Sequence, residues 1–135
     1  MTDEELVAAF ESAALPGDAF THEAHVRVAW WYLRHGSFSE ALARFSSALR
    51  RFAAHLNASG KYHETITVAY MALVAERIEN TPGADWQAFR EAHADLIARR
   101  PPILSDYYSE ATLQSSRARR TYVLPDRLPA RQSAG

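Results

Sequence analysis

Cysteine is absent from the 135 residues, which excludes a disulfide framework, thiolate metal sites and a cysteine nucleophile. An excess of charge is also missing. Fifteen basic and 16 acidic residues give a formal net charge of -1, so no global field draws the chain to nucleic acid or to an anionic membrane. No apolar run approaches the ~18 residues of a membrane-spanning helix. The opening Met1-Thr2-Asp3-Glu4-Glu5 is acidic and leads into no apolar stretch of the signal-peptide kind. A cytoplasmic location is the resulting expectation. Strand-like alternation, internal repeats and low-complexity blocks are not found either.

What is present is an ordinary globular mixture. Hydrophobic residues are 47% and charged residues 23% of the chain, too apolar for a disordered body. The length suits one domain, expected over residues 1–131, with Gln132-Ser133-Ala134-Gly135 frayed. Helical periodicity dominates. Thr2-x-x-Glu5 reads as a capping box for a first helix carrying Leu6, Phe10 and Ala13. Thr21 caps a second that reaches Gly36 through Val26, Ala29 and Leu33. Ser37-x-x-Glu40 opens a third, with Leu42, Phe45, Leu49, Phe52 and Leu56 as its stripe, closed by Asn57-Ala58-Ser59-Gly60. The fourth spans about Tyr62 to Glu79. Thr81 before Pro82 is an alternative cap for a fifth, which carries Trp86, Phe89, His93, Leu96 and Ile97 to Arg100-Pro101-Pro102. One or two short pieces fit Ile103 to Ser116. From Arg117 the chain reads as extended, with Tyr122, Val123, Leu124 and Leu128 docking on the body. The fold class expected is an all-α bundle of about five helices with a partly extended C-terminal tail.

Six histidines supply the only chemical signal. On a helical wheel His22 and His25 share the inward side of the second helix, in its first turn or so. The same construction turns His63 inward in the first turn of the fourth helix, with Glu64 at the edge of the apolar arc. One helix intervenes, so in an up-down bundle the second and fourth run parallel and their starts lie at one end. The three rings then meet at one mouth. Three neutral imidazoles suit a divalent transition metal, zinc first and iron, copper or manganese as alternatives, and leave a position open for water or substrate. The positive end of a helix dipole favours the uncharged ring that such ligation needs. Thr67, Tyr62 and Tyr70 are candidates to orient the rings, and Glu64 is the candidate acid/base group.

His22-Glu23-Ala24-His25 resembles the zincin His-Glu-x-x-His but is one residue short, and Glu23 falls on the polar flank. Metalloprotease chemistry is rejected there. His35 and His55 read as helix-end residues suited to the dipole, and His93 as core with a fourth-ligand alternative. Trp31 falls opposite Leu33, to be covered by the tail, by a homodimer interface or by a substrate. The basic pairs Arg50-Arg51, Arg99-Arg100 and Arg117-x-Arg119-Arg120 read as a solvated face or as carboxylate and phosphate contacts.

The stretches Phe20-Thr21-His22-Glu23-Ala24-His25-Val26-Arg27-Val28-Ala29-Trp30 and Tyr62-His63-Glu64-Thr65-Ile66-Thr67, with Pro125-Asp126-Arg127-Leu128-Pro129, resemble a small bacterial all-helical family. The resemblance spans Phe20 to Pro129, implies a helical fold and carries no reaction with it. It adds Arg127 as a residue to reach a substrate carboxylate or to pin the tail by a salt bridge. The function expected is a small metal-dependent enzyme acting on a small polar metabolite. The alternatives are a non-enzymatic module for a ligand or partner, or a metal-free enzyme using His63 and Glu64.

Overall fold

The computed structural model describes residues 1–127, and all regular structure among them is helical. The expected docking of Leu128 and fraying of residues 132–135 lie outside the described residues. Two capping boxes start two of the helices. Thr2 accepts from the Glu5 amide while the Glu5 carboxylate accepts from the Thr2 amide, which opens α1 (Asp3–Glu11). Ser37 and Glu40 repeat the arrangement ahead of α3 (Phe38–His55). Between them Thr21 caps α2 (His22–Leu33). That helix ends without help from a left-handed glycine. Instead His35 Nδ1 donates to the Trp31 carbonyl at 2.6 Å, so the expected role of Gly36 passes to the neighbouring imidazole. After α3 the chain turns through Asn57 at φ 55°, with Ala58 donating to Ala53 O and Asn57 to Ala54 O. This 6→1 and 5→2 pair is a Schellman close.

The second half departs further from simple periodicity. Helix α4 (Glu64–Asn80) begins two residues later than the apolar pattern implies. Thr81 ends α4 rather than starting the next helix, and Asp85 caps α5 (Trp86–Ala92). The single fifth helix expected to Ile97 is broken at His93, and α6 (Ala94–Ile97) resumes beyond it. Partners on α4 and at its end accompany the break. Arg77 Nη1 donates to His93 Nδ1 at 3.3 Å, His93 Nε2 meets Thr81 Oγ1 at 3.2 Å, and Thr81 Oγ1 donates to Arg77 O at 2.9 Å. A closed loop of hydrogen bonds thus holds the ring at the helix junction, which removes it from consideration as a metal ligand. A 3₁₀ turn (Ile103–Asp106) leads to α7 (Glu110–Gln114) and α8 (Ser116–Arg120). Arg117 to Arg120 are therefore helical, not extended, because Ser115 caps them.

Helix α2 is the axis of the molecule. One face carries Val28, Ala29 and Tyr32 into a cluster with Leu6, Phe10, Phe45 and Phe52 of α1 and α3. Another carries Val26 and Trp30 into a cluster with Val74, Trp86, Phe89 and Leu96. Full burial of each valine, leucine or phenylalanine among them contributes about 1.5–3 kcal/mol. Trp31 packs partly against both clusters and stacks on His35 at 4.1 Å. The extended segment lies elsewhere, along α4. Thr65 Oγ1 donates to Thr121 O and accepts from the Val123 amide, and Tyr108 Oη donates to Val123 O at 2.7 Å. Tyr122 and Leu124 remain 40% and 74% exposed, contrary to the expected docking.

Candidate functional site

The partners of α2 advance along α4 as they would in a parallel pair. His25 shares a cleft with His63 and Thr67, while Val26 and Trp30 share a cluster with Val74 and Ile78. The helix starts do lie at one end, but the rings there have different fates.

His63 is not in the first turn of α4. It is the cap itself: its backbone is extended and its Nδ1 accepts from the Ile66 amide at 3.1 Å. Since Nδ1 accepts, the ring proton is on Nε2, which donates to Leu113 O at 2.7 Å. Both ring nitrogens are occupied by the fold. Thr67 Oγ1 donates to His63 O at 2.8 Å and so braces the cap from the next turn.

His22 donates from Nε2 to Leu96 O at 2.9 Å, and its ring makes a T-shaped contact with Tyr70, centroids 5.3 Å apart. One nitrogen is therefore used in tying α2 to the end of α6. His25 is the exception. Its Nε2 is closed to solvent and has no hydrogen-bond partner among the described residues. Phe20 and Phe45 flank the ring, each with centroids 5.2 Å away. Burial, and secondarily the neighbouring His22, push its pKa down from 6.5 to about 4, so the ring is neutral at pH 7.

Two cavities meet at His25. One, of about 80 Å³, is lined by His22, His25, Thr67, Tyr70 and apolar side chains of α2, α3 and α4. That is room for roughly two or three water-sized groups. The other is a more open cleft of about 400 Å³, with Phe20, Phe52 and Leu56 as apolar wall and His25, Lys61 and Tyr62 as polar points. Neither cavity is lined by all three histidines.

Glu64 is not a wall of either cavity. Its Oε1 accepts from Tyr62 Oη at 2.6 Å and lies 3.4 Å from Arg50 Nη2, whose guanidinium also covers the Tyr62 ring. The expected acid/base residue is thus an outer member of a surface group. Burial first, and the bond to Glu64 second, raise the Tyr62 pKa; burial alone raises that of Tyr70. Glu23 pairs with Arg90 at 3.0 Å, on the polar flank where the wheel put it. His55 is exposed at the end of α3. Arg127 makes no salt bridge among the described residues, so it does not pin the tail by one. Asp126 does the pinning: its carboxylate accepts from the Ser109 amide and hydroxyl and from Thr112 Oγ1, and the Ser109 bonds hold its pKa down at about 2.

The expected metal centre does not fit this arrangement. Among the described residues no group of three His, Asp or Glu side chains is placed to hold an ion. Ligation by His63 would forfeit the cap or the Leu113 bond, and Nε2 ligation by His22 would forfeit the Leu96 bond. Zinc, iron, copper and manganese meet the same obstacle, because it lies in the donors. No helix among the described residues is long and apolar enough to cross a membrane. No family model, curated protein or solved structure matches this chain.

Sequence reasoning missed the carbonyls of Leu96 and Leu113, which no residue type announces. It also missed Lys61, Phe20 and Phe52 as cleft residues. Phe20 carried a usable signal, an aromatic two residues ahead of the first histidine and outside any helix.

Proposed function

We propose that this chain is a small-molecule-binding helical domain that works without a metal, with its ligand in the cleft beside His25. The observation that carries the reading is the His25 Nε2 atom, buried and without a partner among the described residues. A buried polar atom left unbonded costs about 1–3 kcal/mol, and such atoms are uncommon in folded proteins. A ligand group that enters from the cleft, displaces the side chains covering this nitrogen and bonds it removes that cost. The cleft volume of about 400 Å³ falls in the ordinary range for small-molecule sites, as does its mix of apolar wall and few polar points. The matching ligand is an apolar molecule with one neutral hydrogen-bonding group, since the ring is uncharged at pH 7. A charged head would suit Lys61 at the cleft instead.

Nitrogen-15 spectra of labelled histidine test this, with phenol as probe. Saturable movement of the His25 Nε2 resonance is expected, with His55 unmoved and binding at least fivefold weaker in His25→Phe. An unmoved Nε2 resonance, or equal binding by the variant, overturns the reading. So does stoichiometric zinc in tag-free protein that is lost separately in His22→Ala, His25→Ala and His63→Ala.

A further inference from the structure

Beyond the histidine cleft, a second hollow of about 660 Å³ opens on the other side of His63, between α4 and the segment that follows Pro102. Its apolar surface comes from Ile66, Leu104, Leu113 and two tyrosines, Tyr70 and Tyr108. Two arginines, Arg119 and Arg127, line the same hollow. Arg119 is held through its side chain and Arg127 through its main chain. Arg119 Nη1 donates to Gly60 O at 2.9 Å, which leaves the rest of its fork for another acceptor. The Arg127 amide donates to Tyr107 O at 2.9 Å, directly after the Asp126 clamp on Ser109 and Thr112.

Neither arginine is in an ion pair with a carboxylate of the described residues. One acid, Glu110, also lines the hollow, and its Oε1 accepts from Gln114 Nε2 at 2.9 Å. The wall therefore carries two positive charges against one negative. Guanidinium groups are matched in shape by carboxylates, which accept two parallel hydrogen bonds. Aromatic and aliphatic side chains beside them suit a flat apolar body.

We infer that this hollow binds a small carboxylic acid with a flat apolar body, its carboxylate on Arg119 and Arg127 and its ring between the tyrosines and leucines. The site shares no polar group with the His25 cleft other than His63, whose nitrogens are both engaged. It stands or falls apart from the reading above.

Calorimetric titration of the full chain with 2-naphthoate is the test, with nitrogen-15 amide spectra to locate the site. Saturable one-to-one binding is expected, with shifts at Leu104, Leu113 and Arg127. The neutral analogue 2-naphthamide should bind at least tenfold more weakly, and acetate should not saturate. Arg119→Ala and Arg127→Ala should each weaken 2-naphthoate at least fivefold. Arg120→Ala, outside the hollow, should leave it unchanged. All three positions are exposed, so thermal melts should verify that the variants fold. Equal affinity for acid and amide, undiminished binding in Arg127→Ala, or shifts confined to the His25 cleft would overturn the inference.

Discussion

His63 and His25 line the same cleft, and the fold treats them in opposite ways. His63 is buried with each ring nitrogen bonded to a backbone group, one within its own helix start and one 50 residues away. His25 has its Nε2 enclosed with nothing to bond among the described residues. The first imidazole is a structural joint; the second is a polar group kept in an apolar place against its own solvation. His22 falls between them, with one nitrogen bonded to Leu96 O. The three rings therefore form a graded series rather than a set of equal ligands, and the gradation can be broken experimentally.

The largest break should come at His63. His63→Ala removes the acceptor for the Ile66 amide and the donor for Leu113 O, both within a part-buried setting. Loss of a cap costs about 1 kcal/mol and an unsatisfied buried group about 1–3 kcal/mol. Denaturant unfolding should show a loss of about 2–4 kcal/mol. His63→Asn should recover about 1 kcal/mol, because asparagine restores a cap and not the Leu113 bond. Equal stability of His63→Ala and the parent would remove the contrast with His25.

The two capping boxes and the Thr21 cap were legible because each is a bond between residues three apart. The same locality explains why His22 and His25 could be assigned to one helix face. His63 was misread for a specific reason: histidine is outside the usual set of capping residues, and Tyr62 extends the apolar pattern backwards past the true start. At His93 a network to Arg77 and Thr81, 16 and 12 residues distant, accompanies a break in a helical pattern that looks continuous. Convergence of the three rings was the least legible step. Adjacent helix starts bring side chains near one another, but the carbonyls that claim them belong to segments whose positions depend on the finished fold.

Acidification should expose the next difference. The His25 pKa is about 4 in the folded chain against 6.5 for an ordinary imidazole, chiefly through burial. Between those values the unfolded chain binds the proton and the folded one does not. Stability is therefore complete above about pH 6.5 and falls as the pH drops towards 4. At 1.36 kcal/mol per unit the loss amounts to about 3 kcal/mol. His25→Phe should abolish most of that loss and leave stability at pH 8 unchanged or raised, since Phe20 and Phe45 already flank the position. A smaller acid dependence should persist from His93, whose pKa burial, followed by Arg77, also lowers. Parallel pH profiles for His25→Phe and the parent would show that the ring is not held neutral by its surroundings.

The smallest effect belongs to His22, and it sharpens the series most. His22→Ala loses one hydrogen bond, from Nε2 to Leu96 O, and one edge contact with the Tyr70 ring. A bond of this kind contributes about 0.5–1.5 kcal/mol net, so unfolding should register a loss of about 1 kcal/mol. Its location matters more than its size. The bond joins the start of α2 to the end of α6, so amide exchange should quicken around Leu96 and Ile97 while Ile66, capped by His63, keeps its protection. His22→Gln, which can donate from its amide to the same carbonyl, should restore the Leu96 region first. If His22→Ala instead loosened α2 and α4 together as widely as His63→Ala does, the three imidazoles would be one cooperative unit, and the assignment of separate structural and binding roles would fail.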